Sequence, residues 1–236
     1  MPPPQLARFA ACLVAALTLG GATAQNRLAG LGDNPGVPGG TAWSLPDGVV
    51  MTRLSGMGDE GCPKSGRITD LGQFGVGRAG FCMRLSNSGT RPVNVDLPEG
   101  LMILAQGDEF QNGMLVGIVP ITITTEPGGI GGLTVCPHEE VLVALATYCL
   151  NHSRSFPEPS GDFKLGPVTN IPELTTIARA VVGKDVSALS DSIQQYLDDF
   201  SEGDTDRSDL DALLVEIAEQ PDLPNSVKRG CPPAPA

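Results

Sequence analysis

Apolar and polar residues alternate along Val93-Asn94-Val95-Asp96-Leu97 and along Ile121-Thr122-Ile123-Thr124. A period of two puts one set of side chains on each face of a pleated strand, so both runs predict half-buried strands. Short apolar runs over 48–54, 81–86, 92–97, 101–105, 114–125 and 140–150 predict strands in the same way. Asn87-Ser88-Gly89, Pro98-Glu99-Gly100 and Glu126-Pro127-Gly128-Gly129 lie between them and are turn-forming residue types. Short strands at this spacing argue for an antiparallel sandwich rather than a βαβ arrangement.

After Asn151 the period changes. Leu174, Ile177, Ala178 and Val181 recur at helical spacing, with Pro172 near the start and Gly183 at the end. Leu189, Ile193, Leu197 and Phe200 form a second stripe that stops at Gly203. Leu210, Leu213, Leu214 and Ile217 form a third before Pro221, with Ser208 as the expected cap and Asp211 at capping-box distance. The stripes are expected to pack on each other and on the strands; the other reading leaves one open for a partner protein. Pro157, Pro159 and Gly161 break both periods, so the stretch from Leu145 to Val168 reads as a connector from strand to helix.

The ends of the chain carry different signals. Met1 to Arg8 holds one positive charge, Phe9 to Leu19 is an apolar run, and Ala22-Thr23-Ala24 fits a small-residue cleavage site. That layout predicts a secretory signal peptide, with an apolar core too short to cross a bilayer. The expected organisation is therefore a signal peptide over 1–24 and a flexible Gly/Pro-rich leader over 25–47. A β-sandwich over 48–155, a helical segment over 156–222 and a Pro-rich tail over 223–236 follow. No later segment is apolar for long enough to span a membrane, so the mature chain is expected to be secreted, periplasmic or at the cell surface.

Charge narrows the partners. The formal net charge is -12, and Asp198 to Glu219 contributes -8 of it, from nine acids against Arg207. No cluster of Lys and Arg occurs, which argues against nucleic acid and anionic membrane as partners. Cleavage would leave Cys62, Cys82, Cys136, Cys149 and Cys231. In an oxidising compartment most of these should pair, and an odd number leaves at least one over. No CxxC or paired His spacing suggests a zinc site instead.

The run Phe81-Cys82-Met83-Arg84-Leu85-Ser86-Asn87-Ser88-Gly89, followed by Arg91-Pro92-Val93-Asn94-Val95-Asp96-Leu97-Pro98-Glu99-Gly100, resembles a secreted bacterial immunoglobulin-like domain. The stretch Leu145 to Asn151 resembles the strand that closes such a sandwich. The resemblance covers roughly residues 48 to 155. It implies an α+β chain: an antiparallel immunoglobulin-like β-sandwich followed by a short three-helix segment. It also implies a bridge between sheets from Cys82 to Cys149. Against that pairing, Phe81, Met83 and Leu85 share one strand face and leave Cys82 on the other with Arg84, so the connectivity stays open.

Catalytic and cofactor signals fail on specific positions. Gly75-Val76-Gly77-Arg78-Ala79-Gly80 matches GxGxxG, but a strand-like run follows it where the fingerprint requires a helix. His138-Glu139 begins like a zinc protease motif, yet Leu142 stands where its second His belongs. His138 and His152 are the only histidines, which argues against Ser-His or Cys-His catalysis. From Asp204, an EF-hand loop would need Gly where Asp209 stands and Glu where Val215 stands, so the acids read as a helix's first turn. Asn151-His152-Ser153 is a valid N-glycosylation triplet, placed where a surface loop is expected.

No catalytic residue, metal ligand or cofactor is therefore assigned. The function expected is an exported, non-enzymatic binding or structural module acting on an unidentified protein or surface ligand. The alternatives are a secreted hydrolase using a carboxylate pair among Asp96, Glu99, Asp108 and Glu109, or a calcium-dependent adhesion module.

Overall fold

Phe81, Met83 and Leu85 alternate because their strand has one face against an apolar core and one against other partners. The computed structural model describes residues 28–59, 62, 79–120, 132–223 and 231. Within them the strands are β1 (Gly40–Thr41), β2 (Val49–Gly56), β3 (Ala79–Asn87), β4 (Val93–Val95) and β5 (Leu101–Ala105). β6 (Gly113–Pro120), β7 (Leu133–Val135), β8 (Glu140–Cys149) and β9 (Phe163–Thr169) complete them. The helices are α1 (Pro172–Val181), α2 (Ser190–Glu202) and α3 (Arg207–Ala218), with a 3-10 turn over Ser187–Leu189 before α2. The expected alternation over Ile121 to Thr124 lies outside the described residues.

All strand pairings are antiparallel. Seven strands form one sheet in the order β1-β9-β5-β6-β8-β3-β2, and β4 pairs with β7 as a separate ribbon. The larger sheet curls into a half-barrel, giving an α+β fold with antiparallel sheets. Its register shifts between Met51 and Arg53, between Ala79 and Phe81, and between Leu115 and Gly117. Each such irregularity adds local bend and twist, which lets a sheet curl. At the far end of β2, Gly56 donates its backbone N–H to the Glu158 carbonyl at 3.2 Å, and a Cβ there would strike the Pro157–Glu158 backbone.

The sheet has a core on each face. On the inner face, Phe81, Met83, Leu85, Ile103, Leu115, Val143, Leu145 and Phe163 pack with Val95, Leu133 and Val135 of the ribbon. On the outer face, Met102, Met114, Val116, Ala146, Tyr148 and Leu150 carry the helices. Leu174, Ile177, Ala178 and Val181 of α1 are fully buried there, and Ile193 and Leu197 of α2 and Leu210, Leu213 and Ile217 of α3 are buried with them. The three apolar stripes thus pack on each other and on the sheet. Gly203 ends α2 with φ 88°, a left-handed cap that glycine adopts without steric cost. Burial pushes the Tyr148 phenol well above its ordinary range.

Four sequence expectations change. The connector after β8 contains β9, which the Gly166-Pro167 pair hides by breaking the period of two. The expected leader is tied down over 28–41: Leu31 is fully buried against the helical core, and β1 pairs with β9. The cap of α3 is Asp206 with Asp209, not Ser208 with Asp211. The disulfides join Cys62 to Cys82 and Cys136 to Cys231, with Cα separations of 6.3 and 5.6 Å.

A Cys82–Cys149 bridge is geometrically closed. Cys82 stands opposite Ala144 in the β3–β8 register, so Cys149 lies five residues further along the adjacent strand. At about 3.4 Å per residue that is roughly 17 Å, where a disulfide needs Cα atoms within about 7 Å. Cys82 instead points away from the inner core into a cluster with Met57, Cys62 and Leu142.

Candidate functional site

The loop after β8 turns back along α2 and leaves a cleft of about 410 Å³ between them. One wall is helical. Asp191, Gln194, Gln195 and Asp198 fall at positions i, i+3, i+4 and i+7 of α2, so they form a single polar stripe. The other wall is His152, Arg154 and Phe156 from the loop, with Cys149 at the end of β8 and Gln111 just before β6.

Gln194 joins the two walls. Its Oε1 accepts the Cys149 backbone N–H at 2.9 Å, and its Nε2 donates to the Cys149 carbonyl at 3.0 Å. The carboxamide therefore continues the strand ladder beyond the point where β3 leaves β8. Nε2 also lies 2.9 Å from Asp198 Oδ1, while Asp198 Oδ2 lies 3.3 Å from His152 Nδ1. Cys149 is the described cysteine outside the two disulfides, and its residue is buried.

Arg154 is held away from the helix. Its guanidinium lies 3.4 Å from Asp108 Oδ1 and 3.5 Å from the Gly107 carbonyl. Its own carbonyl accepts Gln111 Nε2 at 2.9 Å. The Gln111 backbone N–H donates to the Ser155 carbonyl, which fixes the base of the loop. Gln111 is only 5% exposed, yet its Oε1 has no hydrogen-bond partner. A buried carbonyl oxygen without a donor is costly, and such groups are uncommon in folded proteins. Phe156 stands 57% exposed on the same cleft.

Asn151 has a different role from the one its triplet suggests. It is fully buried, and its Nδ2 donates to the Gly30 and Gly32 carbonyls at 3.0 and 2.8 Å. Its Oδ1 accepts the Asn112 backbone N–H at 2.9 Å, and Asn112 Nδ2 also reaches the Gly30 carbonyl. Ser153 donates to Asp33 on the same segment. A glycan on Nδ2 would remove one donor and require space that the core does not have, so the expected surface acceptor is a buried clasp.

Among the four candidate carboxylates, Glu99 and Asp108 are held apart. Glu99 precedes β5 and Asp108 follows it, at opposite ends of a five-residue strand. Glu99 lies 4.0 Å from Arg179, Asp108 faces Arg154, and Asp96 and Glu109 are exposed. His138 occupies an exposed turn with φ 58°, remote in sequence from the cleft that contains His152. Of the GxGxxG stretch, positions 75–78 lie outside the described residues, while Ala79 and Gly80 open a strand.

The acidic run around α3 is occupied by its own backbone. Asp206 Oδ1 accepts the Ser208 and Asp209 N–H groups at 2.7 and 3.2 Å, and Asp209 returns the bond to the Asp206 N–H at 2.8 Å. The Ser208 hydroxyl, then the Asp209 and Ser208 N–H groups, hold the Asp206 carboxyl below its ordinary range. Calcium would have to displace these bonds. Millimolar calcium is therefore expected to leave the melting temperature unchanged, whereas a site with a Kd of about 10 μM would add roughly 2.7 kcal/mol at about 1 mM. A chelator-reversible rise in Tm, abolished by Asp206→Asn, would establish calcium binding instead.

The sequence missed Gln111, Arg154, Phe156, Asp191, Gln194 and Asp198 as members of one site. The signal available was the polar stripe of α2, whose members recur at the same spacing as its apolar stripe. Among the described residues no group of three or more His, Cys, Asp or Glu could hold a metal ion, and no helix is long and apolar enough to cross a membrane. Comparison with protein-family models, with curated proteins and with solved structures finds no match to this chain.

Proposed function

We propose that the chain is an exported, non-enzymatic binding module whose ligand enters the cleft between α2 and the loop after β8. One observation carries the reading: a buried, unpartnered acceptor, Gln111 Oε1, belongs to a residue lining a concave site of about 410 Å³. A ligand donor would reach it only if the Gln111 side chain turns toward the cleft, and the volume suits a small molecule or a single side chain. The secretory layout of residues 1–24 and the two disulfides support export. The curled sheet facing the β4–β7 ribbon across one core supports a variant immunoglobulin-like arrangement.

Filling the cleft tests the reading. Gln195 is exposed on the helical wall, so Gln195→Trp should occlude the cleft without disturbing the core. Amino acids, polyamines, sugars and carboxylic acids at about 1 mM would be screened by thermal shift. At least one is expected to raise the Tm of the parent protein and to lose that effect in Gln195→Trp. Shifts that survive the substitution, or none in the parent, would overturn the assignment.

A further inference from the structure

We infer that Met57, Cys62 and Cys82 form a site for a thiophilic monovalent ion, copper(I), once the Cys62–Cys82 bridge is reduced. The three sulfurs are already gathered. Met57 Sδ lies 3.7 Å from Cys62 Sγ and 3.9 Å from Cys82 Sγ. They converge for local reasons. Cys82 of β3 stands opposite Ser55 of β2, on the face turned away from the inner core, and Met57 directly follows β2. Gly58, at φ 94°, lets the chain turn, and the Cys62 N–H closes that turn on the Asp59 carbonyl at 2.8 Å. Cys62 is thereby brought back to Cys82.

The triangle has the dimensions of a metal site. Three sulfurs around one ion, each at a metal–thiolate distance of about 2.3 Å, stand about 4 Å apart. Two of those edges exist here, so only the third, between the cysteines, has to open. The donor set selects the ion. Two thiolates and a thioether are soft ligands that favour copper(I) over harder divalent ions. Zinc favours four ligands, and among the described residues no group of three or more His, Cys, Asp or Glu supplies them. None of the three sulfur residues is more than 9% exposed, and Leu142 packs beside them, which keeps water from the ion. The site shares no residue with the lining of the cleft.

The redox step balances with a thiol as reductant. Its thiolate attacks Cys62 Sγ, which belongs to the more exposed cysteine, and Cys82 leaves as a thiolate. A second thiol then removes the first as a disulfide and frees Cys62, so two electrons pass from the thiols to the bridge. Copper(I) binding to the dithiol displaces both thiol protons. As a disulfide neither cysteine can offer a thiolate, so binding follows the redox state.

Anaerobic titration of the mature, reduced protein with copper(I), in competition with bicinchoninate, tests this. The reduced parent is expected to hold an ion that the oxidised parent does not, and to lose it in the double variant Cys62→Ser, Cys82→Ser. Met57→Leu conserves volume and spares the packing. It is expected to weaken that ion at least tenfold, the scale lost when even an outer partner of a ligand is removed. X-ray absorption at one equivalent of copper should count three sulfur neighbours in the parent and two in Met57→Leu. Cys136→Ala, Cys231→Ala should keep the ion, and because reduction has already broken that bridge the substitutions remove no further link. Affinity that ignores Met57→Leu, or two sulfur neighbours in the parent, would mean capture by a plain dithiol or an unfolded chain and would overturn the inference. Loss of the ion with Cys136 and Cys231, or no ion held against the competitor, would overturn it too.

Discussion

Asn151→Ala is expected to lower the unfolding free energy by about 4 kcal/mol. The substitution removes the donor to Gly32 and one of the two donors to Gly30, and it strips the Asn112 N–H of its acceptor. All of this happens where no water can compensate, since Asn151 is fully buried. The orphaned groups cost roughly 1–3 kcal/mol each, while Gly30 keeps its bond from Asn112. Asn151→Asp should be no milder, because it points a carboxylate at two carbonyl oxygens. Urea unfolding of parent and variants measures the effect directly. A loss below about 1 kcal/mol would mean that residues 28–34 are not clasped as described.

Breaking the Cys136–Cys231 bridge should have a comparable effect. The bridge ties the end of β7 to the chain beyond α3 and spans 95 residues, a loop that contains β8, β9 and all three helices. Chain entropy gives such a closure about 4.7 kcal/mol, against roughly 3 kcal/mol for one of fifteen residues. The double variant Cys136→Ala, Cys231→Ala should therefore melt about 10–20 °C below the parent, at roughly 2–4 °C per kcal/mol for a domain this size. Thiol blocking before intact-mass measurement should add one blocking group to the mature parent, at Cys149, and still only one to the variant. A parent that takes up five groups has no disulfides, and an unchanged Tm would show that the bridge constrains nothing.

Local pattern revealed much of the fold. Phe81, Met83 and Leu85, and the stripe from Leu174 to Val181, identify their elements because one face of each meets an apolar core. β9 was hidden because Gly166 and Pro167 interrupt alternation, and it is held by register with β5 rather than by its own propensity. Leu31 was hidden for a related reason. One apolar residue among glycines has no period, and its place is fixed through its neighbours, by bonds from Asn112 and Asn151 to the Gly30 and Gly32 carbonyls and from the Gly32 N–H to Leu150. The cap at Asp206 was misplaced by two residues because Ser208 and Asp206 both satisfy the local rule.

The cleft was less legible still. Gln111, His152 and Asp198 come from three elements separated by 41 and 46 positions, and no spacing rule relates them. What brings them together is the packing of α2 on the outer face of the sheet through Ile193 and Leu197. The apolar stripe of α2 was readable from the sequence, and it is that stripe which aims the polar one.

The clasp on residues 28–34 also has a consequence in time. A chain made from its N-terminus presents Gly30 and Gly32 early, but their partners lie 82 to 121 positions downstream. Until Asn112 and Asn151 are available, the Gly30 and Gly32 carbonyls have no side-chain partners, and Leu31 waits on the helical core it fills. The earliest stretch of this domain to be synthesised must therefore wait for the middle of the chain. Closure of so long a loop belongs to the slow end of folding, so docking of residues 28–34 should trail the assembly of the sheet.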